Sequence, residues 1–155
     1  MIAAIDGPAL GAGAQLAVAA DLRVTTPKSV IGVPAAKLGL VVDSWTVQRL
    51  VSEFTPPVAR AMLLGAETYT GERLHQLGAV HRLGGLQVAL DWAQGLAGLA
   101  PMTIAGHKLA LERAMPEPLV VEEVEAAREA VWASRDAVEG RAAFLGKRPP
   151  EFTGH

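Results

Sequence analysis

The sequence predicts an α/β fold, and three observations carry that reading. An apolar run, Ile2-Ala3-Ala4-Ile5, passes through a glycine-rich turn into an Ala-rich helix. Short strand-like runs then alternate with helical stretches, and from Asp43 onward almost every segment keeps a helical period. Strands that are separated by helices rather than by tight hairpins favour a mixed fold over an all-β one.

The first run reads as a buried strand. The turn that follows, Asp6-Gly7-Pro8-Ala9-Leu10-Gly11-Ala12-Gly13, holds three glycines. Glycine takes backbone angles closed to other residues and lets a ligand approach the main chain, so this turn can aim free N–H groups outward. The helix behind it, Ala14 to Ala20, sets those groups at its positive end, which suits a phosphate, a carboxylate or a carbonyl oxygen gaining charge. Gly11-Ala12-Gly13 begins a dinucleotide fingerprint, but the third glycine position is Leu16; a phosphate loop fails because no Gly-Lys-Ser/Thr follows. A glycine turn that serves packing alone stays open beside the anion site.

Leu22-Arg23-Val24-Thr25-Thr26 alternates and reads as a half-buried strand, turned by Pro27-Lys28; Val30-Ile31-Gly32-Val33 is a second strand, ended by Pro34. No internal repeat is visible. Val47, Leu50, Val51 and Phe54 keep a 3.6 period that Val58, Met62 and Leu63 continue beyond Pro56-Pro57. Thr70 is an N-cap, and Gly78 ends its helix before a short strand, Ala79-Val80-His81-Arg82. Leu86, Ala89, Leu90, Ala93, Leu96 and Ala97 share one face; Pro101 opens the next helix, with Ile104, Ala105, Leu109 and Leu111 along it. Leu119-Val120, Val124, Ala127 and Val131 repeat behind Glu122, Glu123 and Glu125, and a last helix from about Ser134 to Leu145 stops at Gly146 before Pro149-Pro150.

Composition narrows the function classes. A chain of 155 residues, 50% hydrophobic, can bury one sizeable core. A net charge of −2 and no Lys/Arg run longer than Lys147-Arg148 leave no electrostatic footprint for nucleic acid or an anionic membrane. The absence of cysteine excludes disulfides and thiolate chemistry. Met1-Ile2-Ala3-Ala4-Ile5-Asp6 lacks a basic region and meets Asp6 before an apolar region could form, so it does not read as a secretory signal; no apolar run reaches spanning length. A soluble cytoplasmic protein is expected. His75, His81, His107 and His155 lack metal-ligand spacing, and no Gly-x-Ser-x-Gly elbow is present.

Ala9-Leu10-Gly11-Ala12-Gly13-Ala14-Gln15-Leu16, Ala20-Asp21-Leu22-Arg23, Gly39, Gln48-Arg49-Leu50 and Phe144-Leu145-Gly146-Lys147-Arg148-Pro149-Pro150 resemble the enoyl-CoA hydratase/isomerase (crotonase) family, in family order over nearly the whole chain. The resemblance implies a spiral of strand-strand-helix units. Residues 1–83 would form the later part of the core with an acyl-CoA pocket, and residues 84–155 a helical oligomerisation module that builds a homotrimer or a dimer of trimers. Against the family, this chain begins at a strand that normally lies well inside the sequence. A truncated start, or a partner chain that supplies the rest, is the expectation.

In that family two backbone N–H groups polarise a thioester carbonyl. The second donor maps to Ala12, where glycine is usual; the first belongs to the part that is absent here. The two hydratase glutamates map to Gln15 and Ala35, neither of which can move a proton. Gln15, three residues after Ala12, can still hydrogen-bond a thioester or a water, or it faces solvent. Asp43 matches the catalytic aspartate of the dienoyl-CoA isomerase branch, and it also fits the N-cap of the helix that begins at Ser44. The resemblance places Leu10, Gly11, Gln15, Pro34, Ala35, Val42, Trp45, Phe144 and Lys147 along the acyl-CoA pocket. Trp45 reads either as core or as pocket wall, Phe144 as a cover for the acyl chain or as helix packing, and Lys147-Arg148 as phosphate contacts or as a solvated tail.

A coenzyme A thioester is then the expected ligand, with no metal and no further cofactor. Gly-Pro-Ala-Leu-Gly-Ala-Gly with Gln, followed by Gly-Leu-Val-Val-Asp-Ser-Trp, is similar to a mycobacterial family member regarded as non-catalytic and lipid-binding. The expected function is fatty acyl-CoA binding in lipid metabolism without hydratase activity. The alternatives are an enoyl- or dienoyl-CoA isomerase that uses Asp43, and a structural or assembly subunit with no ligand.

Overall fold

The computed structural model describes residues 1–115 and 122–155. Its first two strands, β1 (Ile2–Ile5) and β2 (Pro8–Leu10), lie in different sheets on either side of a corner at Asp6-Gly7. After α1 (Ala12–Ala19), β3 (Leu22–Thr25) and β4 (Val30–Gly32) repeat the pattern. β3 runs parallel to β1 with Ile2 opposite Leu22, and β4 runs parallel to β2 with Pro8 opposite Val30. Each strand-strand-helix unit thus stacks on the one before it, the crotonase spiral that the resemblance implies.

A buried hydroxyl helps to hold the corner between the sheets. Gly7, at φ 100°, donates its N–H to Ser29 Oγ at 3.1 Å, and Ser29 Oγ donates to the Ile5 carbonyl at 3.1 Å. A hydroxyl both accepts and donates, so Ser29 adds a side-chain tie between the coils beside the backbone bonds from Thr26 N–H to the Ile5 carbonyl and from Val30 N–H to the Gly7 carbonyl.

Pro34 leads into a 3-10 turn, Ala35–Leu38, that the sequence pattern did not show. α2 (Ser44–Phe54) and α3 (Pro56–Leu64) follow as two helices rather than one continued period, because Pro56 cannot donate to the preceding turn and starts a new helix. β5 (Thr68–Thr70) pairs antiparallel with β4. α4 (Gly71–Gln76) has Thr70 as its N-cap, with the side chain accepting from Arg73 N–H at 3.1 Å. β6 (Arg82–Leu83) extends the first sheet beside β3, so the strand expected at Ala79–Arg82 begins three residues later. Ala79 and Val80 are buried on the approach to it.

α5 (Leu86–Ala97), α6 (Pro101–Ala114), α7 (Glu122–Trp132) and α8 (Arg135–Leu145) complete the chain. The expected repeat at Leu119-Val120 lies outside the described residues. None of the described helices is long and apolar enough to cross a membrane.

The main buried cluster draws on Ala9, Val18, Ile31, Leu50, Phe54, Met62 and Leu74, so it joins α1, β4, α2, α3 and α4. A fully buried large apolar side chain such as Phe54 contributes about 1.5–3 kcal/mol. α8 attaches to this body through a glycine contact. A Cβ on Gly140 would lie 2.3 Å from the Leu38 carbonyl oxygen, and one on Gly39 would lie 2.5 Å from that of Asp136. In contrast, α6 buries no residue, and Leu86, Leu90, Met102, Leu109 and Leu111 stay exposed. The face read on α5 is covered only in part among the described residues, with Ala89 buried and Leu86 and Leu90 exposed, and the apolar residues along α6 are left uncovered by them.

Candidate functional site

The glycine turn begins a helix with an uncompensated positive end. Gly11, at φ 56°, donates its N–H to the Gly32 carbonyl at 2.9 Å, which fixes the turn on β4. Its own carbonyl accepts the first helical bond, from Gln15 N–H at 3.1 Å. The N–H groups of Ala12, Gly13 and Ala14 therefore stand ahead of the ladder. α1 has no side-chain cap and no acidic residue in its first turn, and Ala12 is exposed. Nothing within the helix neutralises that end, so it can receive an oxygen that carries charge.

The other end of α1 is held by two buried guanidiniums. Arg23, 2% exposed, donates from Nη1 to the carbonyls of Ala20 at 2.9 Å and Ala17 at 3.2 Å, and from Nε to Ala79 at 3.0 Å. Arg49 donates from Nε to the Val18 carbonyl at 3.2 Å. Glu53 pairs with both arginines, bonding Arg23 Nη2 and standing 3.6 Å from Arg49 Nη2. Cations at a helix C-terminus favour its dipole, and a shared carboxylate keeps two buried charges from repelling each other unopposed. The blocks Ala20-Asp21-Leu22-Arg23 and Gln48-Arg49-Leu50 carried the resemblance but had no role in the sequence reading; this clamp is their role in the fold.

Gln15 and Asp43 are brought together by a residue that sequence reasoning missed. Thr46, buried at the first turn of α2, donates its N–H to Asp43 Oδ1 at 2.8 Å and its hydroxyl to Asp43 Oδ2 at 3.2 Å. Gln15 Nε2 donates to Thr46 Oγ1 at 3.1 Å. Asp43 is thus the N-cap of α2, and Gln15, half-buried on α1, is tied across to it. The signal in the sequence was the spacing Asp43-x-x-Thr46, a cap with a second donor at the position it bonds.

The remaining candidates divide. Ala35 and Val42 pack against the main core, and Pro34 is half-buried before the 3-10 turn. Leu10 is 42% exposed at the end of β2, beside Gly11. Trp45 is 41% exposed, which corrects its reading as core: it sits on the outer side of the turn whose inward residue is Thr46. Phe144 is 69% exposed, which corrects its reading as helix packing; Ala137, Gly140 and Ala143 take the inward side of α8. Lys147 is exposed after Gly146. Arg148 is not a loose tail, since it bonds Glu139 from Nη2 at 2.8 Å and holds the pKa of that carboxyl down to about 2.

α7 reaches the same neighbourhood from outside. Ser44 Oγ donates to Glu125 Oε1 at 2.9 Å, and Trp132 Nε1 donates to the Val41 carbonyl at 2.8 Å. Arg128 bonds Glu125 at 2.7 Å and, with Ser44, holds its carboxyl below the usual range. A polar cavity of about 430 Å³ lies elsewhere, lined by Arg135, Asp136, Glu139, Arg148, Glu151 and Thr153, with no candidate pocket residue among them. The described residues hold no cluster of metal-ligating side chains.

Comparison with known proteins settles the lineage. A family model described as enoyl-CoA hydratase/isomerase matches residues 1–155. The chain belongs to the enoyl-CoA hydratase/isomerase family. It is 41% identical over 160 residues to a protein of Mycobacterium leprae named probable enoyl-CoA hydratase echA6, covering 99% of this chain and 62% of that one. A crystal structure of carnitinyl-CoA hydratase from Mycobacterium avium superposes with a TM-score of 0.88 at 27% identity, over 99% of this chain and 62% of the other. A methylmalonyl-CoA decarboxylase matches at a TM-score of 0.89 and 23% identity, over 99% of this chain and 63% of that one; it supports the fold alone. The chain spans a little under two thirds of the length of the M. leprae family member.

Proposed function

We propose that this family member binds fatty acyl-CoA thioesters in lipid metabolism and does not hydrate them. One observation carries the reading. The helix end that meets a thioester oxygen is uncapped at Ala12, while the nearby positions that would exchange protons hold an amide at Gln15 and a methyl at Ala35. The compared proteins are named for CoA thioesters of different kinds, which supports the ligand class and leaves the reaction open.

Residues 1–83 carry the thioester end of the site in this reading, with Leu10, Pro34, Ala35 and Val42 as apolar wall. Each acyl methylene that the wall buries contributes about 0.8 kcal/mol. Residues 84–155 serve as the oligomerisation module. The exposed leucines of α5 and α6 and the exposed Phe144 are then covered, and Trp45, Phe144 and Lys147 completed as pocket residues, in a homotrimer or a dimer of trimers. Calorimetric titration of the oligomer with a long-chain acyl-CoA tests the proposal: heat of binding with no loss of crotonyl-CoA in a parallel assay is expected. Absence of binding overturns it.

A further inference from the structure

His81 completes a sheet with its side chain. β6 is two residues long and pairs with β3 only through Arg82 and Leu83. One residue upstream, His81 donates its N–H to the Arg23 carbonyl at 3.1 Å, and its ring Nδ1 accepts the Arg23 N–H at 3.1 Å. An imidazole nitrogen thus takes the place of a strand carbonyl at the end of the ladder. To accept there Nδ1 must be bare, which puts the proton of the neutral ring on Nε2.

The same ring meets α5. Its centroid lies 5.9 Å from that of Trp92, with the planes tilted by 51°, and the Arg82 guanidinium lies 4.1 Å from the Trp92 centroid. Burial adds little to the hold on this helix, since Ala89 is its one buried residue and Leu86 and Leu90 are exposed. Gly84-Gly85 alone separates β6 from α5, so what loosens the strand reaches the helix directly.

One side of His81 is open to solvent, and a proton can reach it there. A proton added at Nδ1 would point a donor at the Arg23 N–H, and two donors cannot share that gap. The ring then has to turn out of the ladder, which removes both the support upstream of β6 and the contact on Trp92. Arg23 on β3 opposes the added charge and Glu53 on α2 favours it; partial burial and Arg23 prevail and hold the ring's pKa below the usual histidine value. Of the other charged groups nearby, Arg82 of β6 is stacked on Trp92, Asp91 of α5 accepts from Gln87 Nε2 at 2.7 Å, and Arg73 of α4 donates to Gln76 at 3.1 Å.

We infer that His81 is a pH-sensitive latch: with Nδ1 bare it holds β6 and α5 on the first sheet, and with Nδ1 protonated it releases α5.

Amide hydrogen exchange on the full chain, read peptide by peptide at about pH 7.5 and about pH 5 and corrected for the intrinsic effect of pH, tests it. Protection across α5 is expected to fall about tenfold on acidification, the size of one lost hydrogen bond, while α2 and α3 keep theirs. In His81→Gln the amide oxygen can accept from Arg23 N–H but takes no proton in this range, so α5 protection should be the same at both pH values. Unchanged protection of α5 in the wild type overturns the latch, and so does a fall that persists in His81→Gln or that extends equally to α2 and α3. Should His81→Gln not fold, NMR titration of the wild type decides: α5 amide shifts that share the midpoint of the His81 ring support the latch, and a different midpoint overturns it.

Discussion

Thr46 gives Asp43 both of its protons, the backbone N–H at 2.8 Å and the hydroxyl at 3.2 Å. Both carboxylate oxygens are thereby engaged in starting α2. Asp43→Ala should lower the stability of the chain by about 1 kcal/mol, as loss of an N-cap does. On the proposed reading Asp43 serves as a cap and not as an isomerase base, so Asp43→Asn should leave exchange of acyl-CoA α-protons with solvent deuterium unchanged. Exchange in the wild type that disappears in Asp43→Asn would favour the isomerase alternative.

Among the described residues, Arg23 is the side chain that ties α1, the Ala79 approach and α2 into one body. Arg23→Ala leaves Glu53 without its shortest partner and several α1 carbonyls without donors. A loss of about 3–5 kcal/mol in urea unfolding is expected, the range for breaking a buried pair. Arg23→Lys should recover only part of it, since an ammonium lacks the planar fork that reaches both Ala20 and Ala79. A loss under 1 kcal/mol for Arg23→Ala would show that the clamp contributes little.

Gly140 meets the Leu38 carbonyl where no Cβ fits. Gly140→Ala should push α8 off the 3-10 turn that begins at Ala35, costing about 1–3 kcal/mol as overpacking does. Gly95→Ala, at an open helical position, should be neutral or slightly stabilising. Chemical denaturation of the pair separates crowding at one site from helix propensity at the other.

His81 makes folding sensitive to mild acid. Its Nδ1 accepts from Arg23 N–H at 3.1 Å, and partial burial together with the Arg23 charge lowers its pKa. The folded state thus binds this proton less readily than the unfolded chain. Its contribution is complete above the unfolded value, about 6.5, and is lost as pH falls through the lower folded value. Urea midpoints measured from pH 7.5 to 5 should fall, and His81→Gln should flatten that part of the profile. An unchanged slope in the variant would assign the fall to other groups.

Much of the fold was legible because local chemistry decided it. Asp43, Thr70 and Ser134 announce helix starts by residue type, and the structure bonds each to the N–H three residues on. β2 and β5 were not legible, since three-residue strands in a glycine turn and a Thr-Tyr-Thr segment carry no period. In the site, the exposed N–H groups followed from Gly11, but the Gln15-Thr46 bond spans 31 residues and has no local signature. Trp45 and Phe144 show the same limit from the other side. An aromatic residue on a helix reads as buried, and only packing tells which face it takes.

The central claim is that this site grips a thioester and leaves its double bond alone. The most direct test follows crotonyl-CoA absorbance with the purified oligomer, after calorimetry has shown that the same sample binds acyl-CoA. The account predicts hydration no faster than the buffer control, because no proton-moving side chain stands at residues 15 and 35. Hydration at a rate typical of family hydratases would contradict it.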